Sequence, residues 1–555
     1  MLPKPTSERA TTHYGDGHWR TETIYDLAAA RAQVTPDAWA IRDRIRRLTY
    51  REFVEAADAL AADLARHGLQ PGDRVGIWLP SRVEGAIAVL ACSRNAYVCS
   101  PGLQRDHTVE QVLDLLRRMS ASALILQPNY GADADRRDIA PGLKALGHLR
   151  HVYTLAPIDA CAEAAFFGLT DSPVTSTEPL SDPDSVVYLP FTSGTTGEPK
   201  GVLHTDNTLL ANARTIAADW HFGPASRIYT MSPLSHNLGF GALISAIAVG
   251  GELIIHDLLK GASLLARLRE TGATFLFGVP THAIDLLSEL RAGDDEGLPL
   301  LRGFRISGAA VPDAVCVELL DHGITPQSGY GMTEACSHHY TLPDDPPDRI
   351  TGTSGTACDG YEIRIWSQED QNREAEIGEI GQIGGRGASL MLGYFEDEES
   401  TTASFNSHDY FMTGDLGSLD AGGYLRITGR KKDVIIRGGH NIYPARIEAL
   451  AMRHGAVERA AAVPVPDERF GERVCVAVTL RPDAALIPAD LLAHLDAEGL
   501  SKYDMPEYFI ELDNMPLTSN GKILKRELND WIDRHDVDPK PVRWQAPNRP
   551  TKEDR

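Results

Sequence analysis

The chain has 555 residues and a mass of 60.4 kDa, with 43% hydrophobic and 24% charged residues, so it is long enough for several cores and too apolar for a disordered chain. Lys and Arg number 54 against 77 Asp and Glu, a formal charge of −23. That balance excludes a general nucleic-acid binder, which needs a basic face to displace counterions, but leaves room for a locally basic pocket that holds a small anion. The seven cysteines are odd in number and form no C-x-x-C pair, which argues against a disulfide framework or zinc ribbon and for a reducing cytosol. Met1 to Arg20 lacks the apolar core of a signal peptide. The longest apolar stretch, Phe240 to Ile255, contains Glu252 and is shorter than the roughly 20 residues of a membrane span. The expectation is a cytoplasmic protein with no membrane span.

Short apolar or β-branched runs recur in chain order at Arg74–Leu79, Ala123–Leu126, Val186–Phe191, Glu252–His256 and Thr274–Gly278. Helical patterns lie between them, as in Tyr50–His67 with Phe53, Ala57, Leu60 and Leu64 on one face. This alternation predicts α/β layers with mostly parallel sheets and ligand loops beyond the strand ends. After Tyr361 short strands at 362–366, 380–384 and 424–428 alternate with Gly-rich turns, a small β-rich subdomain. Beyond it, helices at 445–452 and 488–499 and strands at 460–465 and 473–480 predict a separate small α/β domain. The expected division is residues 1–430, 431–532 and a polar, poorly ordered tail 533–555.

Five segments carry chemistry. The first, TSGTTGEPKG at Thr192–Gly201, follows the apolar run VVYLPF. Its glycines let backbone N–H groups approach an anion, Thr192, Ser193, Thr195 and Thr196 add hydroxyls, and Lys200 adds charge, which suits a polyphosphate. Lys200 lies between Pro199 and Gly201, so this is not a Walker A loop. The second, SGYGMTE at Ser328–Glu334, offers an aromatic face, a hydroxyl and one carboxylate, enough for a Mg²⁺ that keeps waters and phosphate oxygens as its other ligands. A turn followed by a helix-capping Thr is the plain alternative. In the third, YFMTGDLG, Asp415 between glycines suits a ribose diol or an ordinary turn. In the fourth, GRKKDVIIRGGHNIYP, Arg430 suits ribose or phosphate, and Gly438 and Gly439 suit the close passage of a thin substrate arm, with a charged linker as the rival. In the fifth, PLTSNGKILKREL, Lys522 sits after a turn and before a helical start. His338-His339 has no spaced partner to complete a metal site, and Ser193 is not in G-x-S-x-G, so neither a zinc site nor a hydrolase elbow is expected.

In this order and spacing the five segments resemble the adenylate-forming superfamily, of the acyl-CoA synthetase or carboxylic acid–CoA ligase type, from about Thr23 to Asp530. The resemblance implies a large N-terminal AMP-binding domain and a small mobile C-terminal domain. It implies two steps: a carboxylate attacks the α-phosphate of Mg·ATP with release of pyrophosphate, then a thiol, usually of coenzyme A, takes the acyl group. By resemblance Thr192, Ser193, Gly194, Thr195, Thr196, Gly197 and Lys200 hold the outer phosphates, and Gly308, Ala309, Ala310, Tyr330, Gly331 and Met332 surround the adenine. Thr333 touches the α-phosphate, Glu334 binds Mg²⁺, Asp415 and Arg430 hold the ribose, and Asp433 is the hinge. Lys522 stabilises charge growing during adenylation, and Arg437–Tyr443, with Gly438 and Gly439, lines the pantetheine path. Arg446 departs from the Glu common in the family at that point.

The segment SPLSHNLGFG matches the family stretch that borders the acyl pocket, with His236 as a gate and Asn237, Phe240 and Gly329 facing the acid. Gly239, Gly241 and Gly329 are expected to leave room for a ring or a medium chain, with Met332, Cys336 and Ser337 also contributing. The expected substrate is a medium-chain, alicyclic or aromatic acid, and GVPTHAIDLL is similar to cyclohexanecarboxylate-type CoA ligases. The alternatives are an enzyme that loads a carrier-protein phosphopantetheine thiol and a catalytically silent nucleotide binder. A homo-oligomer is left open.

Overall fold

The computed structural model describes residues 2–160, 166, 178–180, 182–193, 199–293, 297–309, 311–518 and 521–544. It divides into two units. The first takes in 1–364, 384–411 and 421–425, and the second 365–383, 412–420 and 426–555. The second unit is therefore discontinuous and begins earlier in sequence than the expected boundary at 430.

Two parallel-centred sheets build the first unit. One has nine strands, with Phe275–Gly278, Gly303–Ser307 and Thr325–Met332 in parallel register next to Arg227–Thr230 and Glu252–Ile255. The other runs Gly393–Tyr394, Pro199–Thr205, Val186–Tyr188, Val98–Ser100, Arg74–Trp78, Ala123–Leu126 and His151–Thr154. The expected strands at 74, 123, 252 and 274 fall within a residue or two of these bounds. The run Val186–Phe191 is instead two strands, Val186–Tyr188 and Phe191–Ser193, because Pro190 has no N–H to give a ladder.

Helix Tyr50–Arg66 starts at a capping box between Thr49 and Glu52, and its Phe53, Ala57, Leu60 and Leu64 are buried as the periodicity predicts. Helix Val83–Arg94 is buried on every side, which its run of small and apolar residues permits. Helix Asp206–Asp219 follows directly from strand Pro199–Thr205, capped by Thr205.

In the second unit, Val457–Asp467 and Gly471–Leu480 pair antiparallel, and Tyr508–Glu511 adds in parallel. One core packs Ile447, Leu491 and Leu495 on one side of this sheet, and another packs Leu528 and Ile532 on the other. The tail expectation is corrected here. Lys540–Pro541 pairs with Tyr508 and Phe509, Val542 and Trp544 pack on the first of these cores, and Val537 on the second, so apolar burial orders part of a polar-looking segment.

Candidate active site

Strands Phe191–Ser193 and Pro199–Thr205 form a hairpin in which Thr192 pairs with Lys200. The Thr192 hydroxyl donates to the Lys200 carbonyl at 3.4 Å. The hairpin tip with Gly194, Thr195, Thr196 and Gly197, and the Ser193 side chain, lie outside the described residues, as does Ala310. Tyr394 pairs with Val202 on the same strand and brings its ring to Lys200, with Nζ 4.8 Å from the centroid. The Tyr394 hydroxyl donates to Glu334 Oε1 at 3.1 Å. Burial, then the Glu334 charge, raises the Tyr394 phenol above its ordinary pKa, so it stays a donor. Buried His204 donates from Nε2 to the Thr333 carbonyl at 2.7 Å, and burial holds its pKa down to about 4, which keeps the imidazole neutral. Lys200, Thr333 and Glu334, distant in sequence, are thus tied together through Tyr394 and His204. Neither connecting residue stood out in the sequence. Only the sheet register joins them to the motifs.

Ser328–Glu334 is not a helix cap. Thr325–Met332 turns back antiparallel into Cys336–Tyr340. Gly331 is required by that turn, since a Cβ there would lie 2.1 Å from the Cys336 carbonyl oxygen. Cys336 takes a positive φ of 56°, a strained value for a non-glycine residue. Tyr330 is 7% exposed, with its ring edge-on to His338 at 5.1 Å. His338 and His339 are both buried, and burial lowers both pKa values. Gly308, with φ 95°, ends strand Gly303–Ser307, and Ala309 beside it is exposed.

Past this hairpin lies a small cavity of about 20 Å³, walled by Asn237, Phe240 and Gly241 on helix Asn237–Val249, by Asn212 on helix Asp206–Asp219, and by Cys336 and Ser337. His236 caps helix Asn237–Val249, and the Asn237 amide donates to the Met332 carbonyl at 3.4 Å. Phe240 is stacked on Tyr188 with centroids 3.8 Å apart. Gly241 faces open space, as expected. Gly239 does not: a Cβ there would lie 2.2 Å from the Pro233 carbonyl, so this glycine serves helix entry rather than pocket room. Leu209, Asn212 and Ala213 were missed, although their i, i+3, i+4 spacing after the hairpin marks one helical face.

In the second unit Asp415 Oδ1 lies 3.3 Å from Arg430 Nε. Lys522 is close enough to feel both. Burial and then Arg430 lower its pKa, and Asp415 opposes them. Asp433 is half-buried in the short turn Lys431–Asp433. Gly438 and Gly439 have φ of 59° and 86° and form the two-residue turn between Ile435–Arg437 and His440–Ile442, so both glycines are demanded by the hairpin itself. Arg437 is clamped by Glu507 through two 2.8 Å hydrogen bonds, and Arg446 donates to the Gly499 carbonyl.

Family models agree with this arrangement. The AMP-binding enzyme model matches residues 28–395, and the AMP-binding enzyme C-terminal domain model matches 446–522. The chain belongs to the AMP-binding enzyme family. It is an AMP-forming acid–thiol ligase of the acyl-CoA synthetase type. This AMP-binding enzyme is 30% identical over 524 residues to a medium-chain fatty-acid–CoA ligase of Escherichia coli (strain K12), covering 93% of this chain and 92% of that one. It is 31% identical over 512 residues to a feruloyl-CoA synthase of Amycolatopsis sp, covering 92% and 99%. The ATP-bound MatB crystal structure from Rhodopseudomonas palustris matches with a TM-score of 0.81 at 28% identity, covering 92% of this chain and 99% of that chain. No helix among the described residues is long and apolar enough to cross a membrane.

Proposed function

We propose that this ligase activates a medium-chain, alicyclic or aromatic carboxylic acid as its acyl-adenylate and passes the acyl group to coenzyme A. One observation carries the reading. The Thr325–Tyr340 hairpin links the Lys200–Tyr394–Glu334 cluster at its turn to the walled pocket at Cys336 and Ser337. An acid in that pocket has its carboxylate directed toward the end where cationic and hydroxyl groups gather.

The chemistry asks little of a base, because the attacking carboxylate is already ionised. Positioning and charge neutralisation are what remain. Lys200 holds the outer phosphates together with the 192–197 loop. Thr333, its carbonyl fixed by His204, meets the α-phosphate. Tyr330, Gly331 and Met332 with Gly308, Ala309 and Ala310 enclose the adenine. Asp415 and Arg430 hold the ribose, and Lys522 supplies positive charge to the α-phosphate as adenylation proceeds. His236 gates the acyl pocket, which Asn237, Phe240 and Gly329 border. Asp433 is the hinge of a C-terminal domain that begins at 431, and 438–439 border the pantetheine arm.

The residues present fit Mg²⁺. Glu334 is a single hard carboxylate steadied by one phenol hydrogen bond, and nucleotide-bound Mg²⁺ takes one or two carboxylates and keeps phosphate and water ligands. When bound, the ion neutralises polyphosphate charge.

The test is pyrophosphate release from ATP and Mg²⁺ over a panel of short, medium and long fatty acids, cyclohexanecarboxylate, benzoate and hydroxybenzoates, each with and without coenzyme A. Turnover that needs coenzyme A is expected, and the best acid defines the pocket. A single stoichiometric burst indifferent to coenzyme A would assign the thiol to a carrier protein instead.

A further inference from the structure

A buried cation near the pocket has no carboxylate partner among the described residues. Arg305 is 0% exposed in strand Gly303–Ser307. Sheet register sets Phe277, Arg305 and Gln327 in one row across three parallel strands. Gly329 follows Gln327 on the same face, opposite Tyr340. The other face of these strands, with Leu276, Phe304 and Ile306, packs in a core with Leu268, Ala283 and Leu287. Arg305 therefore points to the pocket side, where a Cβ on its strand neighbour Gly303 would meet Trp220 at the end of helix Asp206–Asp219.

The guanidinium is poorly satisfied. Nη1 donates to Gln327 Oε1. Nη2 has only the Ser337 carbonyl at 3.5 Å, and that oxygen already accepts from Asn212 Nδ2 at 2.8 Å. Among the described residues Arg305 Nε and Gln327 Nε2 have no hydrogen-bond partner, so two buried donors lie side by side without acceptors. The ring centroids of Tyr340 and Phe277 lie 5.1 and 5.9 Å away. Among the described residues no carboxylate pairs with Arg305. Burial draws its pKa down only to about 10, so it is charged at neutral pH. A desolvated charge with open donors is costly unless an anion completes it. The cover is thin. Gly329 has no side chain, and a Cβ there would lie 3.2 Å from Nη2. Ser337 and Cys336, next to the guanidinium, are pocket walls, and the Ser245 hydroxyl on the same pocket is also unpartnered.

We propose that Arg305, with the Gln327 amide, reads a second carboxylate at the far end of the acid, so that this enzyme activates one end of a dicarboxylic acid while this buried pair, behind the Cys336 and Ser337 wall, holds the other. The inference rests on the ligase reading above and narrows its substrate class. No bond changes at the distal group. It is held by charge-assisted hydrogen bonds, for which the planar guanidinium is suited.

The test uses matched pairs on the full chain: hexanoate against adipate, cyclohexanecarboxylate against its para-dicarboxylate, and benzoate against terephthalate. Pyrophosphate release gives kcat/KM for each member, and the melting temperature of the protein with acid alone gives binding without turnover. The dicarboxylate is expected to be preferred in at least one pair by about tenfold or more, since a site built for a polar group discriminates against an analogue lacking it. Arg305→Met should lower the dicarboxylate-to-monocarboxylate ratio by about tenfold or more, chiefly through KM, with Arg305→Lys recovering part of it. Gly329→Ala, which covers Nη2, should lower the same ratio even if Arg305→Met folds poorly. Preference for the monocarboxylate in every pair, or equal loss of both members in the variants, would overturn the proposal. Dicarboxylate protection against melting that vanishes in Arg305→Met, with no pyrophosphate released from any acid, would sink the ligase reading and leave the Arg305 site standing.

Discussion

At Lys522, burial and Arg430 both favour the neutral amine, and Asp415 alone opposes them. A lysine held this way is sensitive to the arrival of negative charge, which is what a nucleotide brings. Lys522→Ala is expected to slow adenylation by about 10²–10³-fold, the scale of one lost electrostatic contact, while largely sparing thioester formation from pre-made acyl-adenylate. Single-turnover assays of the two half-reactions check this, and equal loss in both would remove the assigned role. Gly241 faces open space on helix Asn237–Val249. Gly241→Val should therefore raise KM for ring acids more than for straight-chain acids, measured as a ratio within one assay. Asp206 makes a different case. Burial pushes its carboxyl up to about 7, opposed by hydrogen bonds from the Ile24 N–H and the Ser93 hydroxyl. The unfolded value is about 3.8, so between those limits the folded chain holds a proton that the unfolded chain lacks. Stability from this group is thus full at low pH and falls as pH rises through that window, by at most about 1.4 kcal/mol per pH unit. Asp206→Asn keeps the neutral form, so its stability relative to the parent should rise between about pH 5 and pH 7 in urea unfolding.

At the scale of elements, two turns decide how the pocket is framed. The hairpin of Thr325–Met332 with Cys336–Tyr340 sets Thr333 and Glu334 at its tip and Cys336 and Ser337 on its return strand. Its closeness at Gly331 leaves no room for a methyl group. The entry to helix Asn237–Val249 is equally tight at Gly239, where the neighbours are backbone oxygens that cannot rotate away. Gly239→Ala should cost about 1–3 kcal/mol or more through overpacking, against the small gain that alanine brings to an open helix position. Urea titration of the variant beside Gly241→Ala separates the two effects, with Gly241→Ala neutral or stabilising. In the second unit, the Gly438-Gly439 turn has positive φ at both residues, so its glycines are explained without any ligand. The same residues thus have a folding reason and a proposed binding role, and the sequence displays only that they are glycines.

At the scale of the molecule, the second unit carries its own cores. Every residue of those two cores falls between Ile435 and Trp544. A fragment of residues 431–544 should therefore unfold as one cooperative transition. A fragment ending at 532 loses the Lys540–Pro541 strand and the packing of Val537, Val542 and Trp544, and should be less stable by about 1–3 kcal/mol on the scale of partly buried apolar side chains. Urea midpoints of the two fragments decide it. The tail was misread because Val537, Val542 and Trp544 stand singly among charges and prolines, which gives no periodicity to read.

The sequence by itself determined the chemistry's vocabulary and the α/β plan. Glycine and hydroxyl density after an apolar run signals an anion loop, strand–helix alternation signals parallel sheets, and the order of five motifs signals the family, because all three are local along the chain. It also pointed to Asn237, Phe240, Gly241, Cys336 and Ser337 as pocket walls, since they flank recognisable motifs. Tertiary structure alone decided the rest. Tyr394 reaches Glu334 and Lys200 only through strand pairing, and His204 meets Thr333 across 129 positions of sequence. Arg305 reads as an ordinary polar residue in a short strand until register sets it beside Gln327 and close to Gly329, with no acid among the described residues to answer it. Whether a charge is paired depends on which strands lie side by side and which faces they turn inward, and no local pattern encodes that.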